Sequence, residues 1–295
     1  MRGIESMRAR IRSTEKLLSV VKTMKSLAAV NIRQYEQAAE SVGDYDKTVE
    51  MGLQVVMCHR DDLLVGARLA PRQSMGAVVI GSDVGMCGSL NDQIVTFSLA
   101  AIKDYLGLDP QKRPILAVGE KVDVILRDEG LPVQRTFRVP GSVEGITSIV
   151  GELLLDIDAW RRDLRLDQVF LFFNQQDSGV SYQPRVFKLL PEDQEWLQKL
   201  RQKSWQGPSL PTYTMAWDPL FSALIRQYIF ISLFRSLAHS LASENASRLA
   251  AMQRAEKNIE EKLEVLNGEF HHQRQTAITE ELLDIISGFE ALENG

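Results

Sequence analysis

The sequence predicts an α/β fold in which a long helical arm at each end flanks a compact, mainly parallel α/β domain. Three observations lead there. All ten prolines and twelve of the nineteen glycines lie between Pro71 and Pro219, so the helix breakers are confined to the middle of the chain. Apolar residues in both outer segments recur at steps of three and four, which lines them up on one face of a helix. In the middle, short β-branched runs alternate with helical patterns, as strands and helices do around a parallel sheet. The segments so drawn are 1–70, 71–211 and 212–295.

Beyond Pro219 the only glycines are Gly268, Gly288 and Gly295. Helical throughout, that run would reach about 110 Å, far beyond an ordinary globular helix. Its apolar stripe is Met252, Ala255, Ile259, Leu263, Leu266 and Phe270, resumed by Leu282, Ile285 and Phe289. A polar collar from His271 through Arg274 and Gln275 to Thr276 separates the two parts. Such a helix needs a partner along most of its length.

The first arm supplies a matching pattern. Ile4, Met7, Ile11, Thr14, Leu18, Val21, Lys25, Ala28, Ile32, Tyr35, Ala39, Val42, Asp46, Val49, Leu53 and Val56 follow one another at alternating steps of three and four. All but Thr14, Lys25 and Asp46 are apolar, the mark of a coiled-coil seam running unbroken to Val56. The three polar sites either set register or mark where the helix leaves its partner.

In the inserted domain, Ala77–Ile80, Ile115–Val118, Val133–Val139 and Gln168–Asn174 read as strands, with Val186–Leu190 as a further one. Helices are expected over 90–106, over Lys121–Glu129 with Gly130 closing it, and over Ser142–Trp160. Residues 205–211 read as loop.

Composition excludes several classes. The 295 residues are 44% apolar and 25% charged with net charge −5, which argues against nucleic acid as the main partner. Charge is unevenly placed: residues 1–33 carry eight Lys/Arg against Glu5 and Glu15, while residues 251–295 carry ten acidic residues against four basic ones. Opposite signs suit antiparallel neighbours or separate partner surfaces. Cys58 and Cys87 make no disulfide framework or CxxC pair and read as buried thiols in a reducing compartment. The best membrane candidate, Tyr228–Phe234, is bounded by Arg226 and Arg235, far short of a span. Charges recurring through the first 33 residues argue against a secretory signal; their Arg-rich, acid-poor composition could pass for a transit peptide, but the seam running on from them is read as mature structure. A soluble, intracellular chain is expected.

Candidate chemistry is sparse. The turn Gly81-Ser82-Asp83-Val84-Gly85-Met86-Cys87-Gly88-Ser89-Leu90-Asn91 follows a strand and opens a helix, where a phosphate can bind. It is neither GxGxxG nor GxxxxGK[ST] and has no lysine, so a structural tight turn is the stronger reading. His271 and His272, adjacent on a helix, point about 100° apart and cannot chelate one metal. No catalytic set, cofactor or metal site is expected. Asn245-Ala246-Ser247 is a glycosylation sequon, idle in an intracellular helix. The basic face of residues 1–33 is either a solvated face or a contact for an acidic protein surface.

Four ordered motifs give the chain a resemblance. Lys22-Thr23-Met24-Lys25-Ser26-Leu27-Ala28-Ala29 resembles the K-A-M-x-M-V-A-A helix of the γ subunits of rotary F-type ATP synthases. Ser82 to Asn91 is similar to that family's S-D-R-G-L-C-G-G-L-N, and Gln183-Pro184 with Leu189-Leu190-Pro191 to its Q-x-P…L-L-P. The most specific match runs through Ala242-Ser243-Glu244, Arg248 to Met252, Asn258, Arg274-Gln275, Ile278 to Leu282 and Ser287-Gly288. Val84 stands where the family has arginine, Ser89 where it has its second glycine, Thr23 where it has alanine, and Phe289 where it has a small residue. These departures mark a divergent member and suggest an alternative F-type lineage.

The resemblance implies a long antiparallel coiled coil of the N- and C-terminal helices with an inserted Rossmann-like α/β domain. It implies a non-catalytic central stalk that couples transmembrane movement of protons or sodium ions to ATP synthesis or hydrolysis in a hexamer of α and β subunits. On this analogy Lys22, Met24, Lys25, Arg274 and Gln275 would contact β, and Leu282, Ile285, Ile286 and Phe289 would run in the bearing. Tyr182, Gln183 and Pro184 would lie at the foot, near the ε subunit and the membrane c-ring. The location implied is the cytoplasmic face of a bacterial or archaeal plasma membrane, held there through the complex. The competing readings are a nucleotide-binding α/β enzyme with coiled-coil oligomerisation arms and a coiled-coil or nucleic-acid-handling scaffold. A phosphate-loop lysine would favour the enzyme and a basic, aromatic-rich domain the scaffold, and the sequence has neither.

Overall fold

The computed structural model describes residues 2–58, 74–105, 113–166, 168–178, 181–190, 199–205, 209 and 211–293. In order, the elements are α1 (Arg2–Ser41), α2 (Gly43–Cys58), β1 (Met75–Ile80), α3 (Leu90–Ala100), β2 (Ile115–Val118), α4 (Glu120–Asp128), β3 (Val133–Phe137), α5 (Val143–Asp163), β4 (Gln168–Ser178), β5 (Ser181–Leu190) and α6 (Trp217–Glu293). Contacts gather the chain into two units: Met1–Ala28 with Leu249–Gly295, and Ala29–Arg248. The unit around the sheet thus takes in helical residues on both sides of the segment 71–211.

The first unit is an antiparallel helix pair. Lys22 reaches Glu256 and Glu260, Arg8 lies over the Phe270 ring, and Gly3 faces Gln273, so partner numbers fall as α1 numbers rise. On α6, Met252 and Leu266 are buried and Ala255, Ile259, Leu263 and Phe270 half-buried, while their neighbours on the other faces are largely exposed. The expected stripe is the one that packs.

In the second unit, strand order is β3-β2-β1-β4-β5. β1 to β4 are parallel, and β5 pairs antiparallel with β4. The period of two in each strand sends alternate side chains to two cores. Ala77, Val79, Ile115 and Ala117 pack against α3 and α4. Val78, Ile80, Leu116 and Val118 face a larger core built with α5, residues 225–242 of α6, and Tyr35, Ala38, Val49 and Leu53 of α1 and α2. Burying a Leu- or Ile-sized side chain contributes about 1.5–3 kcal/mol, so this core fixes α6 firmly on the sheet.

Several expectations shift. The seam does not run unbroken: α1 stops at Ser41 and α2 starts at Gly43, where Ser41 Oγ donates back to Ala38 and a poor helix former follows. All sixteen seam residues are nevertheless buried or half-buried. Two of the polar ones are held by ion pairs, Lys25 with Glu256 and Asp46 with Arg235. The helix expected over 90–106 ends in a π-helical turn, Ala101–Tyr105, and residue 106 lies outside the described residues. β3 stops at Phe137 because the Val139 N–H is drawn off the ladder to Asp83. α5 runs on to Asp163, and the last two strands are longer than expected because they form one hairpin. Cys87 is buried, but Cys58, at the end of α2, is exposed. By length and composition α6 does contain a window apolar enough to cross a membrane, nearly half of it buried. Its apolar character is that of a core helix, since Ile229, Ile231, Leu233, Leu237, Ala238 and Leu241 all sit in the larger core.

Candidate functional site

The first candidate is the glycine-rich turn. In a doubly wound sheet the ligand crevice lies beyond the carboxyl ends of the strands where strand order reverses, here between β1 and β4. In this chain α6 fills it. Ser243 Oγ donates to the Asn174 carbonyl, Ser247 Oγ to the Cys87 carbonyl, and Arg248 Nη2 to the Val84 carbonyl at 3.2 Å.

The turn is tied internally as well. Ser82 N donates to Asn91 Oδ1 at 3.0 Å, and Asn91 Nδ2 returns a bond to Ser82 Oγ at 2.8 Å. Asp83 accepts the N–H groups of Glu120 and Val139, both at 2.9 Å. Gly119, at φ +120°, passes so close to Ser82 that a Cβ would lie 2.7 Å from its carbonyl oxygen. Ser82 N and Leu90 N are spent inside the turn, and α6 side chains take up the Val84 and Cys87 carbonyls, so the turn reads as a structural one packed against α6.

Glu244 and Arg248 form a salt bridge one helical turn apart, with side chains 7% and 15% exposed. Burial pushes the Glu244 carboxyl up, and the Arg248 charge opposes that. Glu244 Oε2 is buried without a hydrogen-bond partner. The departures from the family motif are accommodated here: Val84 contributes its carbonyl while its side chain is exposed, and Ser89 Oγ accepts from Gln93 Nε2.

The basic residues of the first arm come next. Lys22 Nζ stands 3.0 Å from Glu260 and 3.9 Å from Glu256, and its pKa is raised, chiefly by the bond to Glu260. Lys25 Nζ pairs with Glu256, whose side chain is mostly buried. Met24, between them, is half-buried. The charge asymmetry of the two arms allows antiparallel neighbours or separate partner surfaces; the structure pairs the arms, with Glu256 and Glu260 as the counter-charges the sequence does not single out.

Arg274 and Gln275 are exposed on the collar, and Arg274 makes no ion pair among the described residues. Leu282, Ile285 and Ile286 are 55%, 55% and 53% exposed, an apolar surface that nothing among the described residues covers. Phe289 is within α6, its side chain outside the description. Tyr182, Gln183 and Pro184 stand on the edge strand β5, opposite Gln176, Gln175 and Asn174. That is the end of the sheet beside Ser243.

A family model described as ATP synthase matches residues 3–292, nearly the whole chain. The chain belongs to the ATP synthase γ-chain family. It is accordingly the non-catalytic, central-stalk subunit of a rotary ATP synthase, a membrane-associated complex. Among its relatives, the ATP synthase gamma chain of Alkaliphilus metalliredigens is 23% identical over 99% of both chains. That of Anaeromyxobacter sp. is 28% identical over 99% of this chain and all of the other. A chain of the Euglena gracilis mitochondrial ATP synthase has the same fold, with a TM-score of 0.64 and 20% identity over 99% of this γ chain and 95% of its own. A chain of the Tetrahymena thermophila central stalk and c-ring superposes with a TM-score of 0.55 at 22% identity, covering 80% of this chain and 99% of that one.

Within this family the filled crevice has a clear sense. A shaft must transmit torque, and the larger core and three side chain-to-carbonyl bonds hold the sheet to residues 225–248 of α6.

Proposed function

We propose that α6 and α1 form the shaft that turns inside a hexamer of α and β subunits, driven or opposed by ion flow through a membrane c-ring. The observation that carries this reading is the C-terminal end of α6. A long helix whose last turns present Ile278, Leu282, Leu283, Ile285 and Ile286 to solvent is built to be enclosed by other chains. A ring of apolar side chains that makes few directional bonds can slide, which is what a bearing requires. Arg274 and Gln275, just before it, can make and break hydrogen bonds with β as the shaft turns. Catalysis stays with the hexamer, whose sites change nucleotide affinity as different shaft faces pass.

The sheet-bearing unit serves the ε subunit and the ring. Its edge strand β5, at Tyr182, Gln183 and Pro184, forms the foot near ε and the c-ring. The complex is placed on the cytoplasmic face of a bacterial or archaeal plasma membrane.

Co-purification tests the reading. A tagged chain drawn gently from its native membranes should bring two large nucleotide-binding subunits in about three copies each per shaft, with ATP hydrolysis. Recovery of the chain alone, or with unrelated proteins, would overturn it.

A further inference from the structure

Where α5 nears its end beside the first turns of α6, the sheet-bearing unit carries a cleft of about 460 Å³. Leu154, Ile157, Leu190, Phe221, Ile225 and Ile229 make its apolar lining. Asp158, Arg161 and Arg226 line it too, and the same three side chains line an adjoining hollow of about 570 Å³ with Leu155 and Arg162. An apolar space and a charged one therefore meet across shared residues.

Charge in the hollow is out of balance. Arg226 Nη2 pairs with Asp158 Oδ2 at 3.0 Å, one bond from a group with five N–H donors. Arg161 and Arg162 are exposed and make no ion pair among the described residues. Cations in the last turn of a helix favour its terminal carbonyls, which accounts for Arg161 and Arg162 on α5. It does not account for Arg226, which comes from α6 and sets three arginines around one carboxylate.

We propose that the cleft and the hollow together bind one small amphipathic anion. Its carboxylate or phosphate head sits among Arg161, Arg162 and Arg226, and its single alkyl tail lies over Ile157, Ile225 and Ile229. Size and charge choose this occupant. Each space falls in the range of about 300–1,000 Å³ that small-molecule sites occupy. Phe221 to Ile229 spans about 12 Å of helix, which an extended peptide would cover in only about four residues. A neutral or cationic head would leave two guanidinium charges uncompensated, whereas an anion takes charge-assisted bonds from them. A membrane-associated complex has such molecules beside it, as fatty acids or single-chain phospholipids. The proposal goes beyond the shaft reading and does not rest on it.

The probe is decanoate carrying a diazirine on its tail, photolysed with the purified complex and separately with the full chain alone. Adducts should form on the cleft, at or beside Leu154 and Phe221, in both samples, and unlabelled decanoate should displace them. Stronger displacement by decyl phosphate would identify a phospholipid-type head, and stronger displacement by decanoate a fatty acid. Arg161→Gln with Arg162→Gln should weaken labelling about three- to tenfold, the worth of two exposed charge pairs. Ala223→Trp, which places a ring in the cleft from its exposed rim, should abolish labelling while leaving the urea midpoint of the chain in place. Adducts scattered away from α5 and α6, or labelling indifferent to Ala223→Trp, would overturn the proposal. Equal displacement by inorganic phosphate or by decyltrimethylammonium would do the same, since head and tail would then not act together. Labelling of the free chain that disappears in the complex would give the cleft to a neighbouring subunit and overturn it as well.

Discussion

Arg248→Met should destabilise the sheet-bearing unit by about 3–5 kcal/mol, the cost of leaving one partner of a buried ion pair alone. The structure supports the upper part of that range. Glu244 is 7% exposed at its side chain, Arg248 is its only ion-pair partner among the described residues, and Glu244 Oε2 has no hydrogen bond among them. The substitution also frees the Val84 carbonyl, which Arg248 Nη2 reaches at 3.2 Å. Urea unfolding of the full chain followed by tryptophan fluorescence reads this unit, since Trp160 is 4% exposed in its core. The midpoint should fall by at least roughly 1 M. Acid should relieve the defect. Burial raises the native Glu244 pKa, so its contribution is complete below the unfolded value and is lost as pH rises through the native one. Without Arg248 that native value rises further, and the gap from wild type is widest at neutral pH. Glu244→Leu in the Arg248→Met background should recover most of the loss. A loss under about 1 kcal/mol, or a double variant no better than the single one, would refute this account of the pair.

Gly119→Ala places a Cβ 2.7 Å from the Ser82 backbone at φ +120°, so thermal denaturation should show a loss of about 2 kcal/mol or more. Asp46→Asn breaks the 2.8 Å pair with Arg235, whose side chain is partly exposed, and should cost about 1 kcal/mol in the same measurement. Burial lowers the His239 pKa, so its neutral form contributes stability above the unfolded value of about 6.5 that is lost as pH falls through the native one. His239→Gln should flatten that decline in an acid titration of the midpoint. Arg274→Ala should leave helicity by circular dichroism unchanged while weakening assembly or coupling, because the side chain is exposed and unpaired among the described residues. Lost helicity with normal assembly would reverse that role.

Periodicity made the arms legible, because the seam of α1 and the stripe of α6 are each written in one chain and each satisfied by the other. The parallel sheet was legible for the same reason, its β-branched runs being short and fully buried. Partners across the pair were not. Nothing in the local sequence ties Lys25 to Glu256, since their meeting depends on the register of two segments far apart in the chain. The glycine-rich turn is a related case. Its spacing allowed a ligand or a tight turn, and only the fold brings Ser243, Ser247 and Arg248 to fill the crevice. The placement of Tyr182 to Pro184 depended on strand direction: β5 runs antiparallel, which carries its first residues to the Ser243 end.

Rotation itself is the most direct test. Cys58 is exposed and Cys87 buried, so a bead can be attached through Cys58 alone in a complex immobilised by its hexamer. With ATP supplied, the account predicts stepwise rotation of the bead in one direction, halted when hydrolysis is blocked. Sustained ATP hydrolysis by a complex containing this chain, with the bead standing still, would contradict it.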